Sequence, residues 1–320
     1  MKTDYFENLE NPFLIDIEDK ETYDYDDYVR IQEKLEEKNL DEFLESLYPE
    51  EKMRTTLSEM KRRCCKGIHQ KVIDLSNNDL LPSIELFKIG NGGDGKNCLV
   101  SCRPLFVDRY DISNTIVQSL EEVGFNGHFM LLKGGFPNPT GREMKYAGVP
   151  YSFKIFMILE ANKRGFEKVL WIDSVCYAVN NPEPLFEMIE KYDAVFKAYS
   201  ANCFAPDTCI NIIFPKTVQL LSQIVQRDIR NDTNVNSIVF GLNLNSPKII
   251  QFIREYYEMV KLGLPFLSGF PEEIVFTSIF NNPEYHYLFH NINDCSKLYV
   301  NSCYLNKRDA KNNGYYFVQD

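Results

Sequence analysis

The feature that most constrains this chain is an alternation of short apolar strands with helix-length amphipathic segments, beginning near residue 97. Residues 98–102, 128–132, 168–172 and 194–198 read as strands, each a brief apolar run. Residues 113–123, 151–164 and 184–192 read as the helices between them, with Ser113 as an N-cap and Gly165 as the residue that ends the second. Helices over 216–229 and 247–262 follow, with a strand over 237–244 between them. Strands joined through helices run parallel, because a crossover of that length returns the chain to the same edge of the sheet. The expected fold class is therefore α/β, a Rossmann-type mixed, mainly parallel sheet flanked by helices.

The first 95 residues have another texture. Residues 1–60 hold 19 Asp and Glu against 7 Lys and Arg, while the remaining 260 are near neutral with 27 acids and 28 bases. Residues 1–27 are acidic and aromatic without a period, and 28–66 read as helices broken at Pro49. Residues 74–97 are rich in Asn, Asp and Gly, and Gly90-Asn91-Gly92-Gly93-Asp94-Gly95 is a strong breaker. The expected division is an acidic N-terminal helical extension over 1–95 and a second domain over 96–320. A near-neutral body argues against nucleic acid as a partner, since duplex binding needs a basic surface. The longest apolar runs fall far short of the ~20 residues that span a bilayer, so no membrane span is expected. Nor does the N-terminus show the apolar stretch of a signal peptide.

Nine cysteines, an odd number, and no export signal point to reduced thiols and a cytoplasmic location. No Cys-x-x-Cys pair occurs, and the four histidines have no zinc-ligand spacing with cysteines. Gly90 to Lys96 imitates a phosphate-binding loop, but Asn97 follows where Ser or Thr is required, and a strand follows where a helix is required. No G-x-G-x-x-G and no G-x-S-x-G is present.

The informative stretch is Gly165-Phe166-Glu167-Lys168-Val169-Leu170-Trp171-Ile172-Asp173, followed by Asn181-Pro182-Glu183-Pro184-Leu185-Phe186. An acid leaving the carboxyl end of a buried strand stands where open α/β sheets bind ligands. These residues resemble the nucleotide-sugar glycosyltransferases of the GT-A fold, which carry a glycine, an apolar strand ending in Trp-Leu-Asp, and then Asp/Asn-Pro-x-x-Leu-Phe. The strand Asn236-Ser237-Ile238-Val239-Phe240-Gly241-Leu242 and the later Phe270-Pro271-Glu272-Glu273-Ile274 fall in the family's order. The resemblance covers residues 97–290 and leaves the first 95 uncovered.

The resemblance implies a GT-A-like domain that moves a sugar from a nucleotide-diphosphate sugar, such as a UDP-sugar, to a hydroxyl of a glycan, protein or small molecule. It implies donor-binding roles for Asp173, Ser174, Lys154, Arg103, Tyr151 and Trp171. Arg109 and Lys133 are further cations for the leaving diphosphate. It also implies a divalent cation, Mn²⁺ or Mg²⁺, with Asp173 as its ligand. Here the chain departs from the family, because Asp173-Ser174-Val175 stands in place of Asp-x-Asp and the second carboxylate is missing. An inverting transfer needs a carboxylate base on the acceptor, for which Glu272 and Glu273 are the candidates and Asp207 the next. A retaining transfer needs none.

Two rival readings accompany this one. A catalytically degenerate protein on the same fold would act as an interaction module. A sugar-phosphate nucleotidyltransferase would carry a glycine-rich basic loop after its first strand, where this chain has Ser101-Cys102-Arg103-Pro104. The acidic extension is read as a lid, an acceptor-recognition element or an arm for homo-oligomer assembly. The cytosol of a bacterium or a virus-infected host suits an enzyme of this kind without an anchor.

Overall fold

The computed structural model describes residues 83–103, 112–134, 151–199, 215–266, 271–291 and 294–319, together with Asp26, Val29, Arg30, Tyr146 and Val149. Six strands make the main sheet: β1 (Ser83–Ile89), β2 (Asn97–Arg103), β3 (Gly127–Lys133), β4 (Lys168–Ile172), β6 (Ala194–Tyr199) and β7 (Asn234–Asn243), in the order β1-β3-β2-β4-β7-β6. β2 is parallel to both β3 and β4, whereas β1 is antiparallel to β3, and β7 is antiparallel to both β4 and β6. Four strands thus point one way, and β1 and β7 point the other. A second sheet joins β5 (Cys176–Ala178), β9 (Phe317–Gln319) and β8 (Tyr299–Asn301) in the order β5-β9-β8.

The helices are α1 (Ile112–Glu122), α2 (Phe153–Asn162), α3 (Glu183–Tyr192), α4 (Pro215–Val225), α5 (Pro247–Leu262), α6 (Pro271–Phe280) and α7 (Lys307–Asn312). β4 and α5 match the expected ranges. α4 ends earlier than expected and a turn of 3-10 helix over Ile229–Asn231 follows it. Ser113 lies one residue inside α1, so it is not the cap. Within the stretch read as rich in Asn, Asp and Gly, Ser83–Ile89 is a strand paired along its length to β3. It belongs to the main sheet although it lies before residue 95. Asp26, Val29 and Arg30 are helical, and the other residues of the expected 28–66 helices lie outside the described ones.

The sheet has a buried cluster on each face. Val169 and Trp171 of β4 join one with residues of α2, α5 and α6, and Leu170 and Ile172 join the other with residues of α1 and α3. Strand alternation therefore carries Asp173, the residue after β4, to the Trp171 side. That side is filled by aromatics: Phe252 of α5 stacks on Phe280 of α6 at 4.3 Å, and Phe276 meets Phe240 of β7 edge-on at 5.1 Å. These contacts fix α6 against β7, and with it the first turn of α6, which carries Glu272 and Glu273.

On the opposite face, Gly241 of β7 lets α3 approach. A Cβ there would lie 2.3 Å from Ile189 Cδ1 and 2.9 Å from Val195 Cγ2. Among the described residues, Cys98, Cys102, Cys176 and Cys295 are buried free thiols and Cys303 is an exposed one. No helix among them is long and apolar enough to cross a membrane.

Candidate active site

The site forms where the carboxyl end of β4, the middle of β7 and the first turn of α6 converge. β7 is irregular at this point. Phe196 of β6 pairs with Phe240 and the next residue, Lys197, pairs with Asn236, so Ser237, Ile238 and Val239 fall between consecutive partners. Such a bulge re-aims backbone and side chains at the expense of regular pairing. Here it accompanies a Ser237 carbonyl and hydroxyl that both face the sheet's charged end.

Into that end reaches Lys154 from the first turn of α2. Its Nζ lies 2.9 Å from Asp173 Oδ1 and 2.7 Å from Glu272 Oε1. It also donates to the Ser237 carbonyl at 3.0 Å and stands 3.2 Å from Ser237 Oγ. The aromatic faces of Trp171 and Tyr151 lie 5.5 and 5.7 Å from the ammonium. The Lys154 side chain is only 3% exposed. Its ammonium is turned to these oxygens and away from solvent.

The carboxylates are held as firmly. Asp173 Oδ1 accepts from Trp171 Nε1 at 2.8 Å as well as from Lys154. The Asp173 side chain is 26% exposed, which gives it the greatest access of the charged groups in this cluster. Glu272 Oε1 accepts from Ser237 Oγ at 2.6 Å. Glu273 Oε1 accepts from Asn236 Nδ2 at 2.8 Å and from the Ser237 backbone N–H at 3.2 Å. Asn236 is itself oriented by Tyr299, whose hydroxyl donates to Asn236 Oδ1 at 2.9 Å. Glu272 and Glu273 are both buried, at 5% and 6% exposure.

Burial sets the protonation of this cluster. It pushes the Glu273 carboxyl up to about 7, and the nearby Glu272 charge adds to the push while Lys154 opposes it. Burial also raises Asp173, against the pull of Lys154. For Lys154 burial alone would lower the pKa, but the Asp173 and Glu272 carboxylates outweigh it and hold the ammonium above its ordinary range. Close by, Tyr256 is fully buried, its hydroxyl has no hydrogen-bond partner among the described residues, and burial and Glu272 raise its pKa.

The structure thus brings Asp173, Trp171, Lys154, Tyr151, Glu272 and Glu273 together. Ser174 follows Asp173 in the turn to β5, and Val175 beside it is 46% exposed. Arg103 ends β2 in register with Lys133 of β3, at the same carboxyl edge as Asp173. Lys133 is paired with Glu85 at 2.9 Å. Tyr151 is held at φ 59°, a left-handed conformation that is strained for a tyrosine, just before α2. Asp207 and Arg109 lie outside the described residues. Sequence reasoning missed Asn236, Ser237 and Tyr299. Its available signal was the polar Asn234, Asn236 and Ser237 inside an otherwise apolar strand.

The donor set does not fit a divalent metal in the manner of a carboxylate pair. Val175 stands where the second acid would be, and Asp173 Oδ1 is already engaged by an ammonium and an indole. Among the described residues no group of three or more His, Cys, Asp or Glu side chains could hold a metal ion.

The chain matches no protein-family model and no curated protein. Among solved structures it is similar to mouse xyloside xylosyltransferase 1, at 10% identity and a TM-score of 0.37 over 70% of this chain and 97% of that one. It is similar to the galactosyltransferase LgtC with donor and acceptor sugar analogs, at 12% identity and a TM-score of 0.37 over 69% of this chain and 86% of that one. A glycosyltransferase involved in glycosylation of the major capsid of PBCV-1 aligns at 12% identity and a TM-score of 0.26, covering 69% and 92%. At these scores the likenesses decide no chemistry.

Proposed function

We propose that this chain is a glycosyltransferase that moves a sugar from a nucleotide-diphosphate sugar to a hydroxyl acceptor. The observation that carries the reading is the seat of Asp173. It is a partly exposed carboxylate at the carboxyl end of β4, beside the point where the antiparallel β7 interrupts the parallel run of the sheet, and a buried lysine and an indole fix it from below. Ligands of open α/β sheets bind off such strand ends. In this proposal Asp173 holds hydroxyls of the donor, and Ser174 and Tyr151 border the same pocket. Arg103, at the adjacent strand end, faces the charge that develops on the leaving diphosphate. Glu272 and Glu273 are positioning residues, because their carboxylates are committed to Lys154, Ser237 and Asn236. The acceptor is a carbohydrate or another hydroxyl compound, and assembly of the chain with itself through the acidic extension remains part of the proposal.

A catalytically silent protein on the same fold is the second reading, and the inward orientation of Glu272 and Glu273 favours it. One experiment separates the two. The full chain is screened by thermal shift against nucleoside diphosphates and nucleotide sugars, and any stabilising donor is then assayed for hydrolysis or transfer. A ligand at about 100 times its Kd stabilises by ~2.7 kcal/mol, a readable shift. A shift abolished by Asp173→Ala, with turnover, supports the transferase. A shift without turnover supports the silent protein, and no shift with any donor refutes both uses of this pocket.

A further inference from the structure

We propose that the ammonium of Lys154 is the resident cation of this site, standing where a divalent metal would be needed, so that ligands reach Asp173 without one. The inference rests on the transferase reading only for the identity of the ligand.

The argument is geometric. Four oxygens from three separate elements surround Lys154 Nζ: Asp173 Oδ1 at 2.9 Å, Glu272 Oε1 at 2.7 Å, the Ser237 carbonyl at 3.0 Å and Ser237 Oγ at 3.2 Å. An all-oxygen cage with two carboxylates is the ligand set of a hard cation. It is spaced for an ammonium, because Mg²⁺ and Ca²⁺ need oxygens at about 2.0–2.6 Å. The three N–H donors face four acceptors, so every donor has a partner and the cage is filled. A metal on Asp173 would share its carboxylate with a positive charge already in contact. It would also find the exposed Val175 in place of a second anionic ligand.

The cage gives Asp173 a different task from that of a metal ligand. Its charge is compensated from beneath, and its exposed side is offered as a hydrogen-bond acceptor. Hydroxyl-bearing ligands, such as the ribose or sugar of the donor, suit that acceptor directly. Removing the lysine side chain should turn the same oxygens into a vacant cation site, with Asp173, Glu272 and the Ser237 oxygens as ligands.

The test uses the full chain and MnCl₂ as the probe. The wild type should show no melting shift with Mn²⁺ relative to EDTA, and donor binding should be equal in both. Lys154→Ala should gain a Mn²⁺-dependent rise of about 3 °C or more, lost again when Asp173→Asn is added. A Mn²⁺ shift in the wild type that Asp173→Asn abolishes overturns the proposal. So does a fall in donor affinity of about tenfold or more in EDTA. If Lys154→Ala does not fold, the wild-type arms with and without Mn²⁺ decide alone. The two readings fail separately: donor binding that requires Mn²⁺ retains the transferase and removes the resident cation. Absence of donor binding, with a wild type blind to Mn²⁺ and a responsive Lys154→Ala, does the reverse.

Discussion

Replacing Glu273 by glutamine should stabilise this protein at alkaline pH and leave it unchanged in acid. Glu273 Oε1 accepts hydrogen bonds from Asn236 and Ser237, and a glutamine carbonyl can accept the same bonds. What glutamine removes is the cost of ionising a buried carboxyl. Folding raises the Glu273 pKa from the usual 4.5 to about 7, so the folded state favours the protonated form. The stability tied to that preference is fully present below 4.5 and is lost as the pH rises through about 7. A shift of that width corresponds to about 3–4 kcal/mol at most, at 1.36 kcal/mol per unit. The Glu272 and Lys154 charges act on this carboxyl in opposite directions, so a gain of ~1–3 kcal/mol is the expected range. Urea unfolding of wild type and Glu273→Gln at about pH 5 and pH 8.5 measures it, with equal midpoints at the first and a higher midpoint for the variant at the second. A variant less stable than wild type at both values, by the same amount, would refute the reasoning. It would mean that the carboxylate is ionised throughout and that Lys154 needs both glutamates.

Lys154→Met should cost ~3–5 kcal/mol, because it strands the buried Glu272 carboxylate and the partly exposed Asp173 carboxylate without their cation. Adding Glu272→Gln should recover part of that loss, and a double-mutant cycle in urea reads the coupling. Gly241→Ala should cost ~1–3 kcal/mol through the clash with Ile189 and Val195, measured as a lower melting temperature with donor binding unchanged. In native-state thiol labelling followed by peptide mapping, Cys303 should react while Cys98, Cys102, Cys176 and Cys295 stay unmodified, and reaction at any of those four would contradict the packing.

What was legible in the sequence was local. α5 begins at Pro247, stops just before Gly263 and holds its apolar period throughout, so its limits could be read directly. β4 is a bare apolar run, and the two-residue period of a strand already places Trp171 and Asp173 on one face. β1 was hidden because only Ile89 among its seven residues is fully buried, and its glycine-rich flank dominated the reading. The site was half legible for a related reason. Lys154, Asp173 and Glu272 each carried a signal of charge, but none showed that they meet. Their contact depends on the bulge in β7 and on aromatic packing between α5, α6 and the sheet, which bring together residues far apart in sequence. Burial, which sequence distance cannot express, then encloses Lys154 and the two glutamates in one network.

The chain has a single tryptophan, and its indole N–H is the group that donates to Asp173. Near-ultraviolet emission excited at the red edge therefore originates from one ring, buried beneath Asp173 and hydrogen-bonded to it. Whatever changes the charge or the hydrogen bonding of Asp173, whether a bound hydroxyl, a proton or the loss of Lys154, perturbs that chromophore through a contact of 2.8 Å. The protein thus carries its own optical gauge, and occupancy of the site can be followed in unlabelled wild-type material as a shift in colour and intensity.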